Sequence, residues 1–253
     1  MIDKMIRCKN LDKYDSIETI REWFFKCPPK GKEKHWKDGR SAKETAKHWV
    51  HTIPKPFFET LKDKEYSYEL CSPEYVTKFD NYKGEGRNHD LLLIAKDKED
   101  KKIVISVESK ADEPFGNSVK NTIEAAIDAK SKNANSRSLE RIDELWMTLF
   151  GESIDRKSLL KYQLLTAVAG TIAEAKKQGS KTTYFLVQTF VEGVNNKHQI
   201  NKDDLDSFIK YFSKSVYTNI ENNQILGPFS VSKGTNLIPD DIELFIGKYD
   251  INI

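Results

Sequence analysis

The sequence predicts an α/β protein with a mixed central sheet flanked by helices. Three observations carry this. Residues 91–95 and 103–107 are aliphatic, β-branched runs of strand length, joined by a charged turn too polar to bury. Residues 182–191 make a further β-branched and aromatic strand, separated from that hairpin by segments of helical period. The two hairpin runs are also apolar on both faces, which a sheet covered on both sides explains.

The elements follow in order. Residues 17–26 read as a short amphipathic helix that stops before Pro28 and Pro29. Ser41 and Glu44 form a capping box for a second helix, with Ala42, Ala46, Trp49 and Val50 as its apolar face, and Pro54 and Pro56 break it. Phe57, Phe58 and Leu61 predict another helical turn, and residues 66–71 a strand. Gly84, Glu85, Gly86 and Arg87 turn the chain into the hairpin. A bend at 114–117 leads to helices over 118–132, 138–150 and 159–178, the last two closed by Gly151 and Gly179. After the strand at 182–191 come a helix at 203–213 and a short strand at 229–231. No repeat and no linker divides the 253 residues. The expectation is one domain with a core over 40–195, a helical N-terminal extension over 1–39 and a C-terminal addition over 196–253.

Composition excludes several classes. No apolar run reaches membrane-spanning length, and the first residues do not open a signal peptide. Three cysteines without C-x-x-C spacing argue against a disulfide framework or a zinc site, so a cytoplasmic location is expected. The five histidines show no zinc spacing, and no nucleophile elbow or cysteine–histidine pair is evident. Net charge is only +2, but residues 26–55 hold nine Lys or Arg against three Asp or Glu, interleaved with Trp36 and Trp49. Arg40, Lys43 and Lys47 in this stretch are the candidate phosphate contacts. A solvated helix face is the plain alternative, and the tryptophans fit a core.

The hairpin carries the chemistry. With its centre near Glu99, Asp90 falls opposite Glu108, and Lys110 points the same way as Glu108. A one-residue slip would part the two carboxylates, so the inference depends on register. Paired buried carboxylates repel and raise one another's pKa unless a cation neutralises them. Mg²⁺ is the natural cation, being hard and held by one or two carboxylates plus water and phosphate, and Mn²⁺ would substitute. Lys110 would then offset charge developing at phosphorus. The spacing E-x-K also occurs at Glu99–Lys101 and Glu174–Lys176, so the tripeptide alone carries little. Only Glu108–Lys110 ends an apolar strand with an Asp across from it.

Asp90 followed by Glu108-Ser109-Lys110 resembles the PD-(D/E)xK signature of restriction-endonuclease-like nucleases, with His89 where proline is usual. The run from Val107 to Gly116, Lys161-Tyr162-Gln163-Leu164-Leu165, the strand near 184–190 and the segment 36–42 are similar to an uncharacterised bacterial branch of that superfamily. The likeness covers about residues 35–195. It implies a restriction-endonuclease-like core of order αβββαβ and Mg²⁺-dependent phosphodiester cleavage. Gln163 would contact phosphate or the nucleophilic water, and an upstream acid, Glu69 or Glu59, would join Asp90 and Glu108 at the metal, with Glu69 favoured. Glu113 and His89 lie near enough to be considered. The function expected is a metal-dependent nuclease on nucleic acid, DNA before RNA, in restriction, phage defence or a mobile element. A homodimer or a defence-complex partner is compatible with it. The alternative is an inactive nuclease-fold module that binds nucleic acid or protein.

Overall fold

A computed structural model describes residues 6–10, 13–62, 64–193 and 196–253. Its centre is the hairpin: β4 (Arg87–Lys96) and β5 (Lys102–Lys110) are antiparallel, with Leu91 opposite Val107 and Lys96 opposite Lys102. Asp97 closes the turn by accepting from the N–H groups of Glu99 and Lys101. The hairpin centre and register are those expected. Three helices, α4 (Val119–Lys132), α5 (Ser138–Phe150) and α6 (Tyr162–Gln178), cross from β5 to β6 (Thr182–Val191), which pairs with β5 in parallel. Parallel pairing requires such a long crossover.

The full sheet has six strands. β3 (Ser67–Thr77) lies on the outer side of β4, and β8 (Glu243–Asn252) runs parallel to β6 and is paired in turn with β7 (Gln224–Phe229). The order is β3-β4-β5-β6-β8-β7, with β4, β5, β6 and β8 interior. This is the mixed, helix-flanked sheet the sequence predicts. One face, with Leu92, Val104, Phe185 and Ile246, packs against α4, α5, α6 and α7 (Asn196–Phe212) through Ile123, Trp146, Val168 and Phe208. The other, with Leu91, Leu93, Ile105 and Leu186, packs against α1 (Ile20–Lys26), α2 (Ser41–Trp49) and α3 (Lys55–Thr60) through Trp23, Trp49 and Phe57. Burial on both sides is why the interior strands read as continuous apolar runs.

Several local expectations need correction. The N-terminal extension is not purely helical, because β1 (Arg7–Asn10) and β2 (Lys13–Ser16) form a separate two-stranded ribbon. Cys8 and Cys27 are joined in a disulfide, although their spacing shows no motif. β1 lies beside β3, which brings Cys8 to the end of α1, where Cys27 is the C-cap. Ser41 does not cap α2. Arg40 occupies the cap position, and Glu44 instead accepts from the N–H of Gly39 at 2.8 Å. The C-terminal addition contributes an interior strand to the main sheet, so it belongs to the core rather than lying outside it.

Candidate functional site

Three strands end together on the α6 side of the sheet, and their ends are charged. The β4–β5 ladder stops at Leu91 and Val107. Beyond that pair the Asp90 carboxylate accepts the Ser109 N–H at 2.7 Å, so a side chain takes the role of a backbone acceptor. Glu108 is buried one residue past the end of the ladder. Its Oε1 accepts from Lys110 Nζ at 2.7 Å and from Gln163 Nε2 at 2.5 Å, and its Oε2 accepts from Arg87. Gln163 Oε1 in turn accepts from Lys110 Nζ at 3.3 Å. The Lys110 ammonium also sits 5.0 Å from the Phe115 ring centroid. Asp90, Glu108, Lys110 and Gln163 are thus brought together from two strands and the first turn of α6.

Gln163 reaches the site because α6 lies directly on β4 and β5. Gly170 permits that approach. A Cβ there would stand 2.7 Å from Arg87 Cβ and 3.1 Å from His89 Cε1. On the far face, Gln188 of β6 holds the tripeptide from behind. Its Oε1 accepts from Trp49 Nε1 at 2.8 Å and from the Tyr249 hydroxyl at 2.9 Å, while its Nε2 donates to Ser109 Oγ at 3.1 Å. A fully bonded buried network of this kind fixes one arrangement. Past the tripeptide, Asn201 of α7 fastens the bend by accepting from Phe115 N–H and donating to the Glu113 carbonyl.

A third acid stands beside the pair. Glu74 on β3 faces Asp90 in the β3–β4 register, between Pro73–Leu91 and Tyr75–His89, and accepts from Asn88 Nδ2 at 2.5 Å. Its φ of 50° is left-handed, a conformation uncommon in a residue with a side chain. The consequence is a break in alternation. Ser72 faces Leu92 of the α6-side core, yet Tyr75, three residues on, also faces α6, where Tyr75 and Thr77 hydroxyls donate to Glu174 at 3.0 Å each. Strict period-two reading gives no hint of this, so the sequence offered Glu69 and Glu59 as upstream acids and passed over Glu74.

Glu69 does not reach the site. It lies at the far end of β3, in a register irregularity between Tyr68 and Leu70, and pairs with Lys96 at 3.2 Å beside the hairpin turn. Glu59 is also elsewhere, bonded to Lys55 on α3. His89 is buried against Gly170 with no partner at Nε2 among the described residues. Burial raises the pKa of Glu113.

The electrostatics divide the two central carboxyls. Burial pushes the Asp90 pKa well above the ordinary carboxylate value, and the neighbouring Glu108 and Glu74 charges add to it. Burial acts the same way on Glu108, but Arg87 and Lys110 outweigh it and hold that carboxyl below its ordinary value. Glu74 is pushed up to about 7 by burial, helped by Glu108 and opposed by the Asn88 hydrogen bond. His89 is held neutral, its pKa driven far down by burial and by Arg87. A cation is what this trio of acids would accommodate. All are hard oxygen donors, Asp90 has only one hydrogen-bond donor among the described residues, and two of the three are destabilised as anions. No group of three His, Cys, Asp or Glu among the described residues is already arranged to hold a metal, and Arg87 and Lys110 sit on Glu108.

The basic cluster at the N-terminal end of α2 is not a set of free cations. Lys43 and Lys47 both bond Asp38, at 2.9 and 2.5 Å, and hold its carboxyl near pKa 2. Lys47 also bonds Glu44, and Arg40 pairs with Asp112 at 3.0 Å. Phosphate would have to compete with these carboxylates at every one of the three positions.

Fold and site together define a mixed α/β protein with a buried, charge-dense centre at one end of its sheet. The chain belongs to the family described as Domain of unknown function (DUF6946), whose model matches residues 16–253. No curated protein and no solved structure matches it. No described helix is long and apolar enough to cross a membrane.

Proposed function

We propose that this chain is a metal-dependent nuclease of the restriction-endonuclease-like class, hydrolysing phosphodiester bonds, with DNA the favoured substrate. The observation that carries the reading is the convergence of Asp90, Glu108, Lys110 and Gln163 at the ends of β4, β5 and α6. The element order α3-β3-β4-β5-α4-α5-α6-β6, with β6 parallel to β5 and α4 and α5 as additions to the crossover, supports a core of order αβββαβ.

Asp90 and Glu108 would hold Mg²⁺ or Mn²⁺, with Glu74 beside them. The ion, when bound, supplies a lowered water pKa and neutralises charge at phosphorus. The chain's own groups do the rest. Lys110 stands ready to place its ammonium against the developing negative charge, steered by Gln163. Arg87 neutralises Glu108 before any ligand arrives, and its guanidinium suits a phosphate oxygen once Glu108 turns to a cation. Trp49, Gln188 and Tyr249 keep Ser109, and hence its neighbours, from shifting.

A second reading, a nuclease-fold module that binds without cutting, is favoured by one observation: Glu108 already has two cationic partners. A cleavage panel separates the two. Supercoiled plasmid, linear duplex, single-stranded DNA and RNA are incubated with Mg²⁺, Mn²⁺ or EDTA, using wild type and Lys110→Ala. The nuclease reading expects metal-dependent cutting that falls about 100- to 1,000-fold in the variant, in a protein that still unfolds cooperatively because Glu108 keeps Arg87 and Gln163. Cutting equal in both proteins, or none with either metal, would overturn it.

A further inference from the structure

The centre opens on a cleft that the sequence did not reveal. About 460 Å³ of space lies between the β3–β4 connection and α6, lined by Lys30, Arg87, Arg141, Tyr162 and Glu85 among others. Arg87 belongs to both places. Its terminal nitrogen donates to Glu108, while its Nε is buried with no acceptor among the described residues. Arg141 forms the wall shared with a second space of about 500 Å³, which continues past Tyr82, Lys83, Asn133, Asn135 and Arg137. The two clefts meet at Arg141, one beside Arg87 and the other beyond it, and are taken together as a track.

Its lining is cationic. Lys30, Arg87, Arg141, Lys83 and Arg137 face a single lining carboxylate, Glu85, which is paired with Lys30 at the exposed rim. Arg141 is held rigidly: its Nε donates to Asp80 at 2.6 Å, its terminal nitrogen donates to the Glu85 carbonyl at 3.0 Å, and it lies over the Phe79 ring. Arg137 stacks over Tyr82 at 4.8 Å, and neither it nor Lys83 has a carboxylate within ion-pair distance among the described residues. Lys83 and Arg137 thus differ from Arg40, Lys43 and Lys47, each of which is ion-paired, as Arg87, Arg141 and Lys30 also are with Glu108, Asp80 and Glu85. Two unpaired cations, Lys83 and Arg137, with an aromatic ring and exposed side-chain amides in one trough, are the chemistry of a polyphosphate strand with splayed bases.

We propose that this track seats one strand of the nucleic acid, with Arg87 taking the phosphate nearest the carboxylates and Lys83 and Arg137 taking phosphates farther along. The proposal deepens the nuclease reading and rests on it for the identity of the centre, but binding can be measured without cleavage. Labelled single-stranded and duplex oligonucleotides are titrated in EDTA at several salt concentrations, with wild type, Lys83→Ala/Arg137→Ala and Lys43→Ala/Lys47→Ala. The exposed pair Lys83 and Arg137 make no hydrogen bond that the fold needs, and neither belongs to the centre. The expected result is affinity about ten-fold weaker for Lys83→Ala/Arg137→Ala, with a salt slope shallower by about one to two, and little change for Lys43→Ala/Lys47→Ala.

Wild-type affinity in Lys83→Ala/Arg137→Ala, or no binding by wild type, would overturn the track. Wild-type cleavage together with unaltered binding in that variant would sink the track and leave the nuclease reading standing. Track-dependent binding with no cleavage under Mg²⁺ or Mn²⁺ would support the track and sink the nuclease reading.

Discussion

Asp90 and Glu108 carry the same functional group on adjacent strands, and their surroundings drive their protons in opposite directions. Glu108 is an anion clasped by two cations, whereas Asp90 has one backbone N–H and two acidic neighbours. Environments that separate like groups in this way mark places where charge is handled. A consequence for stability follows. The folded protein binds the Asp90 proton to higher pH than the unfolded chain does, so stability falls as pH rises from the unfolded pKa toward the folded one. Asp90→Asn removes that penalty and keeps an acceptor for Ser109. In EDTA at pH 7.5 the variant should be more stable than wild type, with the difference vanishing near pH 3. Urea unfolding at the two pH values checks this, and a destabilised variant at pH 7.5 would contradict it. At this scale Glu108, Lys110 and Gln163 were legible because strand alternation and a helical crossover place them, and Asp90 because it stands opposite Glu108 in the hairpin register, although alternation breaks there and His89 and Leu92 both face α6. Glu74 and Arg87 were not, since one depends on a left-handed backbone and the other reads as the last letter of a turn.

At the scale of elements, the irregularity in β3 and the closeness of α6 work together. The break in alternation at Glu74 lets Tyr75 and Thr77 reach Glu174, while Gly170 lets α6 settle on Arg87 and His89. Adding a methyl at 170 improves helix propensity by about 1 kcal/mol, but it would drive a Cβ into the Arg87 side chain near its root. Gly170→Ala should therefore be destabilised by about 1–3 kcal/mol and should lose activity with it, as thermal unfolding and the plasmid assay would report. A stable, fully active Gly170→Ala would mean that the helix does not need this approach. The elements most legible in the sequence were those bounded by strong punctuation, such as α5 between Ser138 and Gly151. The strand β8 is hard to read from the letters because both its ends are acidic, although Leu244 and Ile246 face one core and Tyr249 the other. Glu69 was misplaced for a related reason: a strand of 11 residues has two ends, and nothing in the letters says which one meets Asp90.

Across the whole molecule, charge is sorted by position rather than by total. A net charge of +2 conceals a neutralised cluster on α2, a cationic track beside the β3–β4 connection and an acidic trio at the sheet end. The sequence could count these charges but could not pair them, because the pairs join segments far apart in the chain, as Arg40 does with Asp112 and Arg141 with Asp80. Asp90 and Glu108 are proposed as a divalent cation site, and a Mn²⁺ titration followed by electron paramagnetic resonance reads that site itself. Wild type, Asp90→Asn, Glu108→Gln and Glu69→Gln are titrated in parallel with a saturating uncleavable phosphorothioate oligonucleotide. One or two Mn²⁺ ions should bind to wild type and to Glu69→Gln, with affinity at least ten-fold weaker in Asp90→Asn and Glu108→Gln. Equal Mn²⁺ affinity in all four proteins, or no bound Mn²⁺ in wild type, would contradict it.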